Sequence, residues 1–223
     1  MHSLKSLFVD AQNEKDKIIQ ELSLITPSPF RDLASPETQE KIHALTQQLE
    51  RLKSTNAPIA FTAYDYVEQG KALYFEGRYE EAITTYDRAI QMQPNHAIAW
   101  FSRGVALAKL HQFEEAVQSY DQAIQTKPDF LEAWFSRGSV LARLQHLETA
   151  IESYEKVTQM KPDFYLAWFG IARCYALQNN LELALGNLEK AIELNADKCK
   201  DAAKTDSAFD SIRETDQFKH LIN

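Results

Sequence analysis

The chain has 223 residues, with 24 basic against 32 acidic side chains and a formal net charge of -8 at neutral pH. That acidic balance argues against a nucleic-acid binder, which carries a basic face, and the few Gly and Pro suit an all-helical globular protein. No apolar run approaches membrane-spanning length, and charge interrupts the N-terminus MHSLKSLFVDAQNEKDK before a signal core can form, so a cytoplasmic protein without membrane insertion is expected.

Residues 1–60 form the first segment. Leu4, Leu7, Phe8, Ala11, Ile18, Leu22 and Ile25 recur at three- and four-residue steps with charges between them, which predicts an amphipathic helix. Pro27 and Pro29 are expected to end it. Ser35-Pro36-Glu37 then has the form of a helix start, with Ser35 as N-cap and Pro36 at the first helical position. Ile42, Leu45, Leu49 and Leu52 continue that helix on one face, and residues 54–58 break it. The pair reads as a hairpin that caps the rest of the chain, covers a binding groove or mediates self-association.

Residues 61–198 carry a 34-residue period in four windows, 63–96, 97–130, 131–164 and 165–198. Tyr66, Trp100, Trp134 and Trp168 share one position. Four residues on stand Gly70, Gly104, Gly138 and Ala172, and three further Leu73, Leu107, Leu141 and Tyr175. The second half of each window repeats Ala82, Ala116, Ala150 and Ala184, then Tyr86, Tyr120, Tyr154 and Leu188. Pro94, Pro128 and Pro162 stop each second helix, and Asn95, Asp129 and Asp163 are the expected N-caps of the next one. The small residues let two antiparallel helices approach closely, with Trp and Tyr filling the space around them, so that loss of Trp134 is expected to cost what a buried aromatic costs.

This pattern resembles the tetratricopeptide repeat, whose motif places Trp, Leu, Gly and Tyr in a first helix, Ala and an aromatic in a second, and Pro after it. The resemblance implies an all-α, right-handed superhelix of four helix hairpins, here with an N-terminal helical hairpin and a C-terminal capping helix. Arg103 and Arg137 depart from the pattern's Leu. An acid sixteen residues earlier, Asp87 or Asp121, is the expected partner of each, with a pair of solvated charges as the alternative. The fourth window drifts from the motif, with Ala172 for Gly, Leu188 for the aromatic and Ala196 for Pro. In residues 199–223, Ala202, Ala203, Phe209, Ile212, Phe218 and Leu221 offer an apolar face to cover the last repeat.

No catalytic constellation is present. The six histidines are scattered, with His111 and His146 in turns, and no phosphate-cradling loop, nucleophile elbow or metal-ligand spacing occurs, so neither enzymatic activity nor a cofactor is expected. Cys174 and Cys199 form no ligand pair, and Cys174 is expected as a packed thiol. What remains is a surface. By position, the resemblance places Lys71 and Tyr74, then Ile98, Phe101, Val105 and Lys109, in a concave groove lined by first helices. Glu132, Phe135, Ser139 and Arg143, then Leu166, Phe169 and Arg173, extend it. Phe101, Phe135 and Phe169 would form an aromatic ladder with basic edges, suited to a protein or peptide segment with apolar anchors and some acidic groups. The carboxylate clamp of the family's co-chaperones is not reproduced, since the matching places hold Val67, Lys71, Ser102, Ile98 or Glu132. The resulting reading is a non-enzymatic adaptor or assembly scaffold. Its alternative is a homo-oligomer, such as a homodimer, joined through the N-terminal helices.

Overall fold

A computed structural model describes residues 4–26, 35–55 and 59–223, and among them all regular structure is helical. The helices group into two compact units, residues 1–126 and 127–223. In the first unit, α1 (Leu4–Ile25) and α2 (Pro36–Ser54) form a hairpin, followed by the pairs α3 (Ala63–Phe75) with α4 (Tyr79–Met92) and α5 (Ala97–Lys109) with α6 (Phe113–Thr126). In the second, α7 (Leu131–Arg143) pairs with α8 (Leu147–Met160) and α9 (Tyr165–Leu177) with α10 (Leu181–Leu194). Then come α11 (Ala196–Thr205), a 3-10 turn (Ser207–Phe209) and α12 (Asp216–Ile222).

Local chemistry sets the element ends. Ser35 caps α2 by accepting from Thr38 N at 3.2 Å, with Pro36 in the first turn, as the Ser-Pro-Glu pattern implies. α1 ends at Ile25; Pro27 and Pro29, expected to end it, lie outside the described residues, as do residues 56–58 of the expected break after α2. Within each helix pair the turn is closed by one left-handed residue, at Gly77, His111, Gln145 and Asn179, 34 residues apart. A backbone bond two residues wider than the turn accompanies each, as from Gln112 N to Leu107 O at 3.0 Å, the form that satisfies the last carbonyls of a helix. Only the first of these positions is Gly, which adopts positive φ without a Cβ penalty.

The N-caps between repeats fall one residue later than expected. They are His96, Phe130 and Phe164, not Asn95, Asp129 and Asp163. His96 Nδ1 accepts from Ala99 N at 3.3 Å, whereas Phe130 and Phe164 supply no side-chain cap. The indole completes the turn instead: Nε1 of Trp100, Trp134 and Trp168 donates to the carbonyls of Pro94, Pro128 and Pro162 at 2.8, 2.9 and 2.8 Å. These tryptophans are half-buried. Trp134 is therefore a turn clip with one face packed, not the fully buried filler expected.

The filler is the tyrosine of the second helix. A Cβ added at Gly138 would stand 2.9 Å from Tyr154 Cε1, and one at Gly170 2.8 Å from Cε2, so the ring lies between two bare backbones. Gly104 stands in the same relation to Tyr120, at 2.7 Å, and Gly70 meets Tyr86 closer still. Where Leu188 replaces the aromatic, Ala172 replaces the glycine; both are wholly buried, the smaller side chain leaving room for the added methyl.

The N-terminal hairpin buries Ile18, Ile19, Leu22, Ile42, Leu45, Leu49 and Leu52 together with Ala72 of α3. In the second unit Phe209, Ile212, Phe218 and Ile222 pack with Ala172, Ala176, Ala184 and Leu188 of the last hairpin. The single expected capping helix is in fact two short helices and a 3-10 turn. Asn195, whose side chain accepts from Lys198 N at 3.4 Å, starts α11 one residue after α10 ends, and Asp206 stops it. No described helix is long and apolar enough to cross a membrane.

Candidate functional site

Each unit places its share of the expected groove residues on first helices, and their environments differ. In the first unit Lys71 Nζ is 2.7 Å from Glu68 Oε1, one turn back on α3. Tyr74 is buried against Phe75 and Tyr79, with ring centroids 5.4 and 5.3 Å apart, and burial pushes its hydroxyl up to about 12. Phe101 is 3 % exposed and tilted on Tyr120 at 5.9 Å; Val105 is half-buried against the core cluster that contains Tyr74 and Tyr86, while Lys109 is exposed at the end of α5.

In the second unit Phe135 packs on Tyr154 at 5.6 Å and edge-on against Phe164 at 5.3 Å, and Phe169 meets Phe209 of the C-terminal segment at 5.6 Å. Each of the three phenyl rings thus makes an intramolecular ring contact. The second unit also has a cleft of about 450 Å³, lined from α7 by Ser139, Ala142 and Arg143, from α9 by Arg173, Cys174 and Leu177, and further by Gln145, Ser207 and Ala208. Ser139 Oγ donates to Phe135 O at 3.0 Å and accepts from the Tyr154 hydroxyl at 3.2 Å. That fixes the hydroxyl at the cleft wall. The Cys174 thiol is held up at about 11, first by burial, so at neutral pH it is an uncharged wall group and not a nucleophile. Arg173 Nε lies 2.6 Å from Asp206 Oδ2.

Three expected groove residues, Ser139, Arg143 and Arg173, are brought together in that cleft. None of the three expected Phe residues is among the residues that line it. Sequence position alone gave no sign of Asp206, which meets Arg173 from 33 residues away. The first unit has a smaller polar pocket of about 190 Å³ beside Arg78. There Glu50, Glu76 and Glu81 meet the guanidinium at 2.7, 3.0 and 2.7 Å and hold Arg78 charged, so its donors are already engaged.

Two buried or half-buried lysines escape a reading of amphipathic patterns. Lys15, 2 % exposed on α1, reaches Asp65 Oδ2 at 2.7 Å and Asp16 Oδ1 at 2.6 Å; burial opposes its charge, but those two carboxylates outweigh it and raise its pKa. Lys53 donates to Gln69 Oε1 at 2.6 Å and lies 4.5 Å over the Phe61 ring. Burial first, then the nearby Arg88 charge, lowers it to about 8 against the pull of Glu50. Among the described residues no group of three or more His, Cys, Asp or Glu is placed to hold a metal ion.

A family model described as tetratricopeptide repeat matches residues 67–129, 106–163 and 135–198. No curated protein sequence matches the chain. Among solved structures, the chain is similar to MamA, at 22% identity and a TM-score of 0.65 over 74% of this chain and 94% of that one. A second MamA structure, from AMB-1, gives 18% identity and a TM-score of 0.69 over 85% and 93% of the two chains. YrrB, described as a TPR protein with an unusual peptide-binding site, is 25% identical with a TM-score of 0.62, covering 85% of this chain and 93% of its own.

Proposed function

The chain belongs to the tetratricopeptide repeat family, and from that premise we propose that it is a non-enzymatic interaction scaffold holding a peptide or an extended segment of a partner protein against the first helices of its repeats. The observation that carries the reading is the cleft of the second unit, where side chains from two successive first helices, α7 and α9, line one open volume. Its lining mixes arginine, serine and glutamine side chains with alanine, cysteine and leucine, so polar and apolar contacts are both open to a bound segment. The peptide-binding description attached to YrrB lends the reading support by fold likeness.

Affinity capture from native lysate tests it, using the intact chain beside a Lys109→Ala/Arg143→Ala variant. Both side chains are exposed, so the fold should survive, to be checked by circular dichroism. A partner captured by the wild type and lost from the variant is the expected result. Equal recovery would move the binding surface away from the first helices.

A second reading, self-assembly through α1, has its own observation. Leu24 is 78 % exposed on this helix, and Phe8 and Val9 are exposed as well. Solution mass measured across a concentration series would rise for the wild type and stay monomeric for Phe8→Glu/Leu24→Glu. A monomer at all concentrations removes this reading.

A further inference from the structure

Two guanidinium groups, Arg143 and Arg173, line the cleft of the second unit, and no carboxylate is among its lining residues. Glu148, on the adjoining α8, is hydrogen-bonded by Gln178 Nε2 at 2.7 Å. The acid that does meet Arg173 comes from the C-terminal segment: Asp206 Oδ2 stands 2.6 Å from Nε, and Oδ1 accepts from Nη2 at 3.5 Å. The same Oδ1 accepts from Ala208 N at 2.9 Å, capping the 3-10 turn.

The anchorage of this segment does not depend on that ion pair. Phe209 and Phe218 are wholly buried, and Arg213 ties the chain to itself by donating to Ala203 O at 3.0 Å, Asp206 O at 2.7 Å and the carbonyl of Lys204. The Arg173 and Asp206 side chains remain 39% and 19% exposed, so solvent reaches part of the pair although Nε itself is buried. A carboxylate of this chain thus already stands on Arg173 in a basic cleft, while the segment that carries it is anchored by other contacts.

We propose that this cleft is a carboxylate-recognition site for an acidic side chain within a partner's extended segment, bound by Arg143 and Arg173, and that Asp206 is its built-in competitor. The inference rests on the scaffold reading above and names the ligand chemistry for one part of it. Asp206 approaches Arg173 from the middle of a chain, which is why the ligand is an internal aspartate or glutamate and not a terminal carboxylate. Planar guanidinium groups match a carboxylate in two-point fashion, and their fixed fork makes the contact directional. Intramolecular occupancy lowers apparent affinity by the fraction of molecules in which the site is closed.

The test is fluorescence anisotropy with a labelled, C-amidated peptide copying residues 205–212, TDSAFDSI, and its counterpart with both aspartates changed to asparagine. Each is titrated against the full chain. Asp206→Asn is expected to bind the aspartate peptide roughly fivefold or more tightly than the wild type does. Adding Arg143→Gln or Arg173→Gln to Asp206→Asn should weaken binding about tenfold, and the asparagine peptide should show a similar loss. Equal affinity for the two peptides, indifference to both arginine changes, or no binding at millimolar peptide overturns the proposal. An asparagine peptide with a free C-terminus that binds as well as the aspartate peptide overturns the choice of an internal side chain. Should Asp206→Asn fail to fold, Arg143→Gln in the wild-type chain supplies the same reading, since Arg143 is exposed. If these peptides fail while lysate capture still depends on Lys109 and Arg143, the scaffold stands without a carboxylate site. If capture fails too, both fall.

Discussion

In the first unit, α1 and α2 cover α3 with a layer of aliphatic side chains and one buried ion pair, Lys15 with Asp65, both nearly inaccessible. In the second, the segment after α10 covers the last hairpin with aromatic wedges, Phe209 against Phe169 and Phe218 at 5.6 Å each, and its charged groups stay at the surface. Both coverings solve the problem of an apolar helix face left open at the edge of a repeat stack. They differ in what a wrong fit would cost. A shifted aromatic wedge leaves a void, whereas a shifted α1 parts Lys15 from Asp65 and leaves the buried carboxylate with the Thr62 backbone donor but no cation. The ion pair therefore selects one docking of the hairpin, as a buried polar contact fixes register elsewhere.

The largest effect that separates the two chemistries is expected from Phe209→Ala. Removing a wholly buried ring should lower unfolding free energy by about 3–5 kcal/mol. Urea denaturation followed by tryptophan fluorescence reads it; a loss below about 1 kcal/mol would mean that the C-terminal segment is not a structural wedge.

Lys15→Met comes next, at about 3 kcal/mol, because Asp65 is left as an uncompensated buried charge. Adding Asp65→Asn, which keeps an oxygen for the Thr62 N cap contact at 2.9 Å, should recover much of that loss. No recovery would show that the lysine acts by packing alone, and the contrast between the two coverings would vanish.

The pH dependence of Lys53 refines the first side of the contrast. Its folded pKa, about 8, lies below the ordinary 10.5, so folding favours the neutral amine. The stabilisation is present above 10.5 and is lost as pH falls through 8. The difference in stability between wild type and Lys53→Met should accordingly change across this window and level off below it. A difference independent of pH would place the amine in water.

The smallest effect belongs to a contact inside the repeat body. Arg103 Nε meets Asp87 Oδ1 at 2.7 Å and Nη1 donates to Ser119 Oγ at 2.7 Å, but the Asp87 side chain is 43% exposed. A double-mutant cycle on Asp87 and Arg103 should give a coupling under about 1 kcal/mol that shrinks with added salt. A coupling of several kcal/mol would place this pair with Lys15 and Asp65 rather than at the surface.

Much of the repeat body is legible in the sequence. Asp87 and Arg103 can be paired because the period sets sixteen residues between facing positions, and Ser139, Arg143 and Arg173 can be assigned to one face because the first helices repeat their orientation. The ring contacts of Phe101, Phe135 and Phe169 are not legible, because a phenylalanine has the same pattern signature whether it faces a partner or a neighbouring tyrosine. Lys15 and Lys53 have the pattern of solvated charges between apolar positions. Their burial comes from Asp65 and Gln69 on α3, 50 and 16 residues away. The expected N-caps fall one residue early because the indole bond to the proline carbonyl, which tightens the turn, joins groups that lie outside the capping motif.

By itself the amino-acid order determined the helices, their turns at a spacing of 34 residues, and the membership of each side chain in a first or second helix. These depend on neighbours within a few turns, through periodicity, proline and the left-handed turn residue. Tertiary structure alone decided which charges lose water and which carboxylate meets Arg173. Desolvation and ion pairing are set by the surfaces that come together, and residues 15 and 65, or 173 and 206, have no local signal that joins them.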